Sequence, residues 1–163
     1  MRLLVTYRLF FLVTFASLTA LAKGAVIINE IHHDPDVKTE LAEFIELHNT
    51  AAEPVDLSGR VIADAVGFTF PDGSKIGGDG LVVVTHNPAQ FKAKFGGSPL
   101  GPWLGKLDND GERVELRNDT GQLVDRVRYR LGFPWPIVGD PPGYSVELIH
   151  PDLDNNDGHN WRP

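Results

Sequence analysis

Beyond residue 24 the chain reads as short runs of β-branched and apolar side chains, several alternating with polar ones and separated by turn-forming residues. That pattern predicts strands. Residues 25–31 (AVIINEI) form the first, and residues 43–47 (EFIEL) the second, with carboxylates flanking Phe44 and Ile45. Residues 55–59 (VDLSG) predict a short strand closed by a turn. Residues 60–63 and 67–70 follow, the latter ending at Pro71-Asp72-Gly73, where proline presets φ and glycine accepts the turn conformation. Residues 81–85 (LVVVT) are continuously apolar, which predicts a central strand buried on both faces. Residues 112–117 and 123–130 alternate cleanly, and residues 144–149 form the last strand. Eight or nine short strands with recurring turns predict an all-β sandwich. One short helix interrupts them. Asn87 is suited to cap it, Pro88 to occupy its first position and Gly96-Gly97 to end it, and Phe91 and Phe95, four apart, predict a shared buried face.

The first 22 residues follow a different pattern. Arg2 and Arg8 precede an uncharged stretch over residues 9–21, and Ala20-Leu21-Ala22 has small residues at the spacing of a cleavage site. Together these predict a secretory signal peptide over residues 1–22 and a single domain over residues 23–163. The apolar stretch is shorter than the roughly 20 residues a spanning helix needs, which disfavours an uncleaved anchor, and no transmembrane helix is expected after cleavage. The expected location is secreted, periplasmic or on the cell surface.

Composition narrows the chemistry. The chain of 163 residues carries 15 Lys+Arg against 22 Asp+Glu, a formal net charge of −7, which argues against general coating of nucleic acid. It contains no cysteine, which excludes disulfides, thiol catalysis and cysteine-ligated metal. The glycine- and proline-rich residues 96–105 and 132–143 carry Trp103, Phe133 and Trp135, so they predict ordered loops rather than disordered linkers.

Several segments resemble a bacterial lamin-tail domain. They are residues 28–35 (INEIHHDP), 43–49 (EFIELHN), 55–59 (VDLSG), 107–112 (LDNDGE) with Val114-Glu115-Leu116, Asp125-Arg126 through Tyr129, 143–148 (GYSVEL), and 154–157 (DNND) through Asn160-Trp161. The resemblance covers nearly all of residues 23–163. It implies an immunoglobulin-like β-sandwich and a non-catalytic binding or structural module, outside the cell and often appended to larger surface proteins or secreted enzymes. The chain lacks the coiled-coil rod, the nuclear-localisation cluster and the C-terminal prenylation cysteine of nuclear lamins. A role at the nuclear lamina is therefore not implied.

Four constellations offer chemistry. His32, His33, Asp34 and Asp36, with Glu40 and Glu43 nearby, are metal-ligand types. Adjacent strand residues point to opposite faces, however, and a turn at Asp34-Pro35-Asp36 accounts for them better. Asp152, Asp154, Asn156 and Asp157 ahead of Gly158 are oxygen ligands that suggest calcium. An EF-hand register starting at Asp152 would place Asp157 where glycine belongs, so the competing reading is an Asx-turn segment that tucks Trp161 inward. Trp103, Phe133, Trp135, Tyr144 and Trp161 form either a carbohydrate platform or the plugs of the sandwich ends.

Arginine placement is the least ordinary feature. Arg113, Arg117, Arg126, Arg128 and Arg130 lie in two predicted strands. Alternation turns Val114, Leu116, Val127, Tyr129 and Leu131 inward and the arginines outward with Glu115. If the strands pair, a basic face results that suits an anionic polymer, whether acidic polysaccharide, teichoic-type phosphate or DNA backbone. The competing reading is a solvated face whose arginines pair with Glu112, Glu115 or Glu147.

No G-x-S-x-G elbow or P-loop occurs, and Glu43 and Glu46 would face opposite sides of a strand, so no catalytic residue is assigned. The leading expectation is a secreted non-catalytic module contacting envelope polymers or other surface proteins, with no cofactor apart from the calcium alternative. An accessory domain or fragment of a larger secreted hydrolase is the second reading, and a small metal-dependent hydrolase the third.

Overall fold

β-branched and aromatic side chains at alternate positions favour extended backbone because each strand then presents one face to be buried. The computed structural model describes residues 26–37, 41–137 and 143–163, so the expected leader over residues 1–22 lies outside the described residues, as does Glu40. In chain order the strands are β1 (Val26–His32), β2 (Phe44–Asn49), β3 (Val55–Asp56), β4 (Val61–Asp64), β5 (Val66–Thr69), β6 (Lys75–Ile76) and β7 (Leu81–Thr85). Helix α1 (Pro88–Phe95) separates these from β8 (Leu104–Gly105), β9 (Arg113–Arg117), β10 (Leu123–Arg128), β11 (Val146–Leu148) and β12 (Trp161–Arg162).

Two five-stranded antiparallel sheets, ordered β12-β11-β1-β2-β7 and β10-β9-β4-β5-β8, and a two-stranded ribbon β3-β6 make up the molecule. Ile27, Ile31, Ile45 and Leu47 from the first sheet and Ile62, Val114, Leu116 and Val127 from the second belong to one continuous buried core. The all-β sandwich expected from the pattern is what forms, in agreement with the immunoglobulin-like sandwich that the resemblance implies. The three strands the pattern missed, β6, β8 and β12, are two residues long, too short for an alternation to register.

β7 departs from expectation. Its continuous apolar run predicts a central strand, yet it is the edge of the first sheet, and Leu81 is 55% exposed. The valines are apolar for another reason: Val82 and Val83 share a groove with Phe91 of α1 and with Pro99 and Leu100 of the following loop. Leu100 also donates its amide to the Val83 carbonyl at 2.8 Å, covering part of the free edge. The caps of α1 form as predicted, with the Asn87 side chain accepting from the Ala89 and Gln90 amides. Phe95 is 47% exposed rather than buried, because the helix ends there, though its ring still meets those of Phe91, Phe44 and His32 at 5.0, 5.7 and 5.8 Å.

Both sheets carry a register shift, in β1 between Ile28 and Glu30 and in β10 between Leu123 and Asp125. A bulge leaves backbone groups without a ladder partner. Asp125 accepts the Ile28 amide at 2.7 Å and the Asn155 side-chain amide at 2.7 Å, and Asn155 donates to the Ile28 carbonyl at 3.2 Å. The two irregularities are thereby joined across the sandwich by side chains.

Candidate functional site

β9 and β10 pair with Arg126 opposite Glu115 and Arg128 opposite Arg113, so Arg113, Glu115, Arg117, Arg126 and Arg128 share one face. Val114, Leu116, Val127 and Tyr129 face the core, as alternation requires. Leu131 does not: β10 ends at Arg128, the alternation lapses, and Leu131 is exposed.

The arginines divide into two groups. Glu115 is 3% exposed and lies between Arg117, which donates to it, and the Nε of Arg113 at 3.5 Å. Arg113 also pairs with Asp64, which holds its guanidinium still more firmly in the charged form. Arg117 donates to the Gly121 carbonyl at 2.9 Å. Arg126, Arg128 and Arg130 have no side-chain ion pair or hydrogen bond among the described residues. The other expected partners are engaged elsewhere. Glu112 accepts from the Asp108 amide at 2.6 Å and the Tyr129 hydroxyl at 3.1 Å, and Glu147 pairs with Arg162 at 2.8 Å.

Buried polar contacts missed in the sequence hold this face in place. The Tyr129 hydroxyl donates to the Asp108 carbonyl at 2.7 Å, and burial pushes its phenol far above the ordinary value. Gly111 has φ +105°, and a Cβ there would come within 2.6 Å of the Arg130 Cα and the Tyr129 carbonyl. Only glycine lets the 107–112 loop lie against the backbone that carries Arg130. The buried Glu43 accepts the Leu107 amide at 2.9 Å, with Lys106 at 3.8 Å, and burial raises its carboxyl.

Two shallow grooves flank Arg128. One, of about 490 Å³, is lined by Asp64, Gly111, Glu112, Arg113 and Arg128. The other, of about 450 Å³, runs between the end of β10 and the segment before β12, and Arg128 and Arg130 line it with Phe133, Asn156 and Asp157.

The remaining candidates are dispersed. His32 packs on Phe44 at 5.2 Å while His33 stacks on Tyr129 at 5.0 Å, on opposite sides of the chain. Burial lowers the basicity of His32. Asp34 accepts from Asn109 at 2.7 Å, and Asp36 pairs with Lys94. In the 152–157 segment, Asp154 accepts the Asn156 amide at 2.9 Å, Asp157 the His159 amide at 3.0 Å, and Asn156 the Arg128 amide at 2.9 Å, while Asp152 lies 3.6 Å from the His150 ring. Among the described residues no three His, Asp or Glu side chains are grouped to hold a metal ion. Of the five aromatics, Trp103, Trp135 and Trp161 are buried plugs, with Trp135 and Trp161 5.5 Å apart, and only Phe133 and Tyr144 are exposed.

A family model described as Lamin Tail Domain matches residues 19–130, more than half of the chain. The chain belongs to the lamin tail domain family. Domains of this family are immunoglobulin-like and non-catalytic. The matched span includes all five arginines and ends before Phe133 and the 152–157 segment, so the second groove joins the matched part of this lamin tail domain to residues beyond it. No curated protein matches the chain. Among the described residues, no helix is long and apolar enough to cross a membrane.

Proposed function

We propose that this lamin tail domain is a secreted, periplasmic or surface-held binding module without catalytic activity, and that its β9–β10 face binds an anionic polymer of the envelope or its surroundings. One observation carries the reading. Among the described residues, Arg126, Arg128 and Arg130 have no carboxylate partner, although the chain is acidic overall and the neighbouring Arg113 and Arg117 are both neutralised. Guanidiniums left unpaired on an acidic domain form a local positive patch that attracts polyanions against the sign of the net charge. Extended sheet faces suit repeating ligands, since residues two apart along a strand present successive contacts on one side.

The test is retention of the full chain on a polyphosphate or dextran-sulfate column under a salt gradient. Retention at low salt that falls as salt rises is expected, and Arg126→Gln with Arg128→Gln is expected to abolish it. Passage of the parent protein straight through at low salt would refute the reading.

A further inference from the structure

The groove at the end of β10 contains more than positive charge. Arg128 and Arg130 flank the buried Tyr129 at the end of β10, and both line the groove. Phe133 is 90% exposed, and its ring stands perpendicular to the His159 ring at 5.2 Å. Asn156 uses its side-chain oxygen to accept the Arg128 amide, which leaves its NH₂ without a protein acceptor among the described residues. Asp157 supplies a carboxylate in the same wall, held by the His159 amide at 3.0 Å and ring nitrogen at 2.9 Å.

From this combination we infer that the groove is a subsite for one uronate residue of an acidic polysaccharide, with its carboxylate on Arg128 and Arg130 and a ring face against Phe133. The inference rests on the polyanion-binding reading above and names the polymer class. Each wall has a counterpart in a uronate. Paired guanidiniums match a planar carboxylate. An exposed aromatic ring covers the C–H face of a sugar, removing apolar surface from water on both sides. Asn156 and Asp157 present a donor and an acceptor to ring hydroxyls. A polyphosphate chain brings no row of hydroxyls, and Asp157 would then repel the ligand without compensation. A strongly charged nucleic-acid backbone meets the same acidic wall.

Affinity for polygalacturonate is measured by calorimetry on the full chain, with fully methyl-esterified pectin, polyphosphate and oligo-dT as comparisons. Polygalacturonate is expected to bind more tightly than polyphosphate or oligo-dT, and the esterified polymer not at all. Phe133→Ala changes an exposed side chain, so the fold is expected to survive, checked by an unchanged melting temperature. It is expected to weaken polygalacturonate binding about fivefold while leaving polyphosphate retention within twofold of the parent, an order-of-magnitude window from the same ring-contact energy. Arg128→Gln with Arg130→Gln is expected to weaken both by about a hundredfold. Polygalacturonate binding that is indifferent to Phe133→Ala, or tighter binding of oligo-dT than of polygalacturonate, would overturn the uronate subsite and leave the arginine face standing. Loss of salt-sensitive retention on every polyanion would remove the face itself.

Discussion

Glu115 lies between two guanidiniums in a strand whose neighbouring strand carries Arg126 and Arg128, and its burial governs how much positive charge the face displays. Substituting it by alanine leaves Arg113 with Asp64 alone and Arg117 with a carbonyl. Because both arginines are partly solvated, Glu115→Ala is expected to cost about 1–3 kcal/mol in denaturant unfolding. The same variant is expected to elute from a polyanion column at higher salt than the parent. At the opposite sheet, Glu30 lies directly across from both Glu147 and Glu46. Burial, reinforced by the neighbouring carboxylates, raises the carboxyls of Glu30 and Glu46 above the ordinary 4.5, against hydrogen bonds from Ser145 and Asn29. The folded chain therefore holds these protons more tightly than the unfolded chain does. The stabilisation this provides is complete below about pH 4.5 and is lost as pH rises through the raised values. Glu46→Gln keeps an acceptor for Asn29 and removes the charge. It is expected to raise the melting temperature at pH 8 and to leave it unchanged at pH 4.

At the scale of elements, the register shifts in β1 and β10 are each other's support. The Ile28 amide and carbonyl are served by Asp125 and Asn155, from a different sheet and from the chain's last segment. Asp125→Ala is expected to destabilise by about 1–3 kcal/mol, because it leaves a backbone amide and a buried side-chain amide without their acceptor. Amide exchange at Ile28 is expected to accelerate in that variant. The 107–112 loop is braced in a comparable way. Gly111→Ala would drive a Cβ into the Tyr129 carbonyl, so it is expected to loosen the end of β10 and weaken polyanion retention without altering any arginine. Strand positions and the helix caps were legible in the sequence because they depend on local alternation and on single capping side chains. The edge position of β7 and the joined bulges were not, because each depends on contacts more than a dozen residues distant.

At the scale of the molecule, the last dozen residues close the sandwich. Trp161 pairs β12 to β11, packs on Trp135 and donates its ring N–H to the Asn155 carbonyl at 2.9 Å. Trp161→Ala is expected to cost about 3–5 kcal/mol, read from the shift of the denaturant midpoint. The segment read in the sequence as a set of oxygen ligands is the one that carries this plug, and its side-chain oxygens meet backbone amides. Adding calcium tests that expectation: a melting temperature that rises with calcium would mean these groups rearrange around the ion. The sequence by itself determined the layered all-β architecture, the capped helix and the outward arginines, since period-two burial and local capping need no knowledge of distant partners. Only the tertiary structure decided which arginines are neutralised and that Phe133 stands beside Arg128 and Arg130. Ion pairing and groove formation depend on strand register and on loops that meet across the sandwich, and no local pattern encodes those distances.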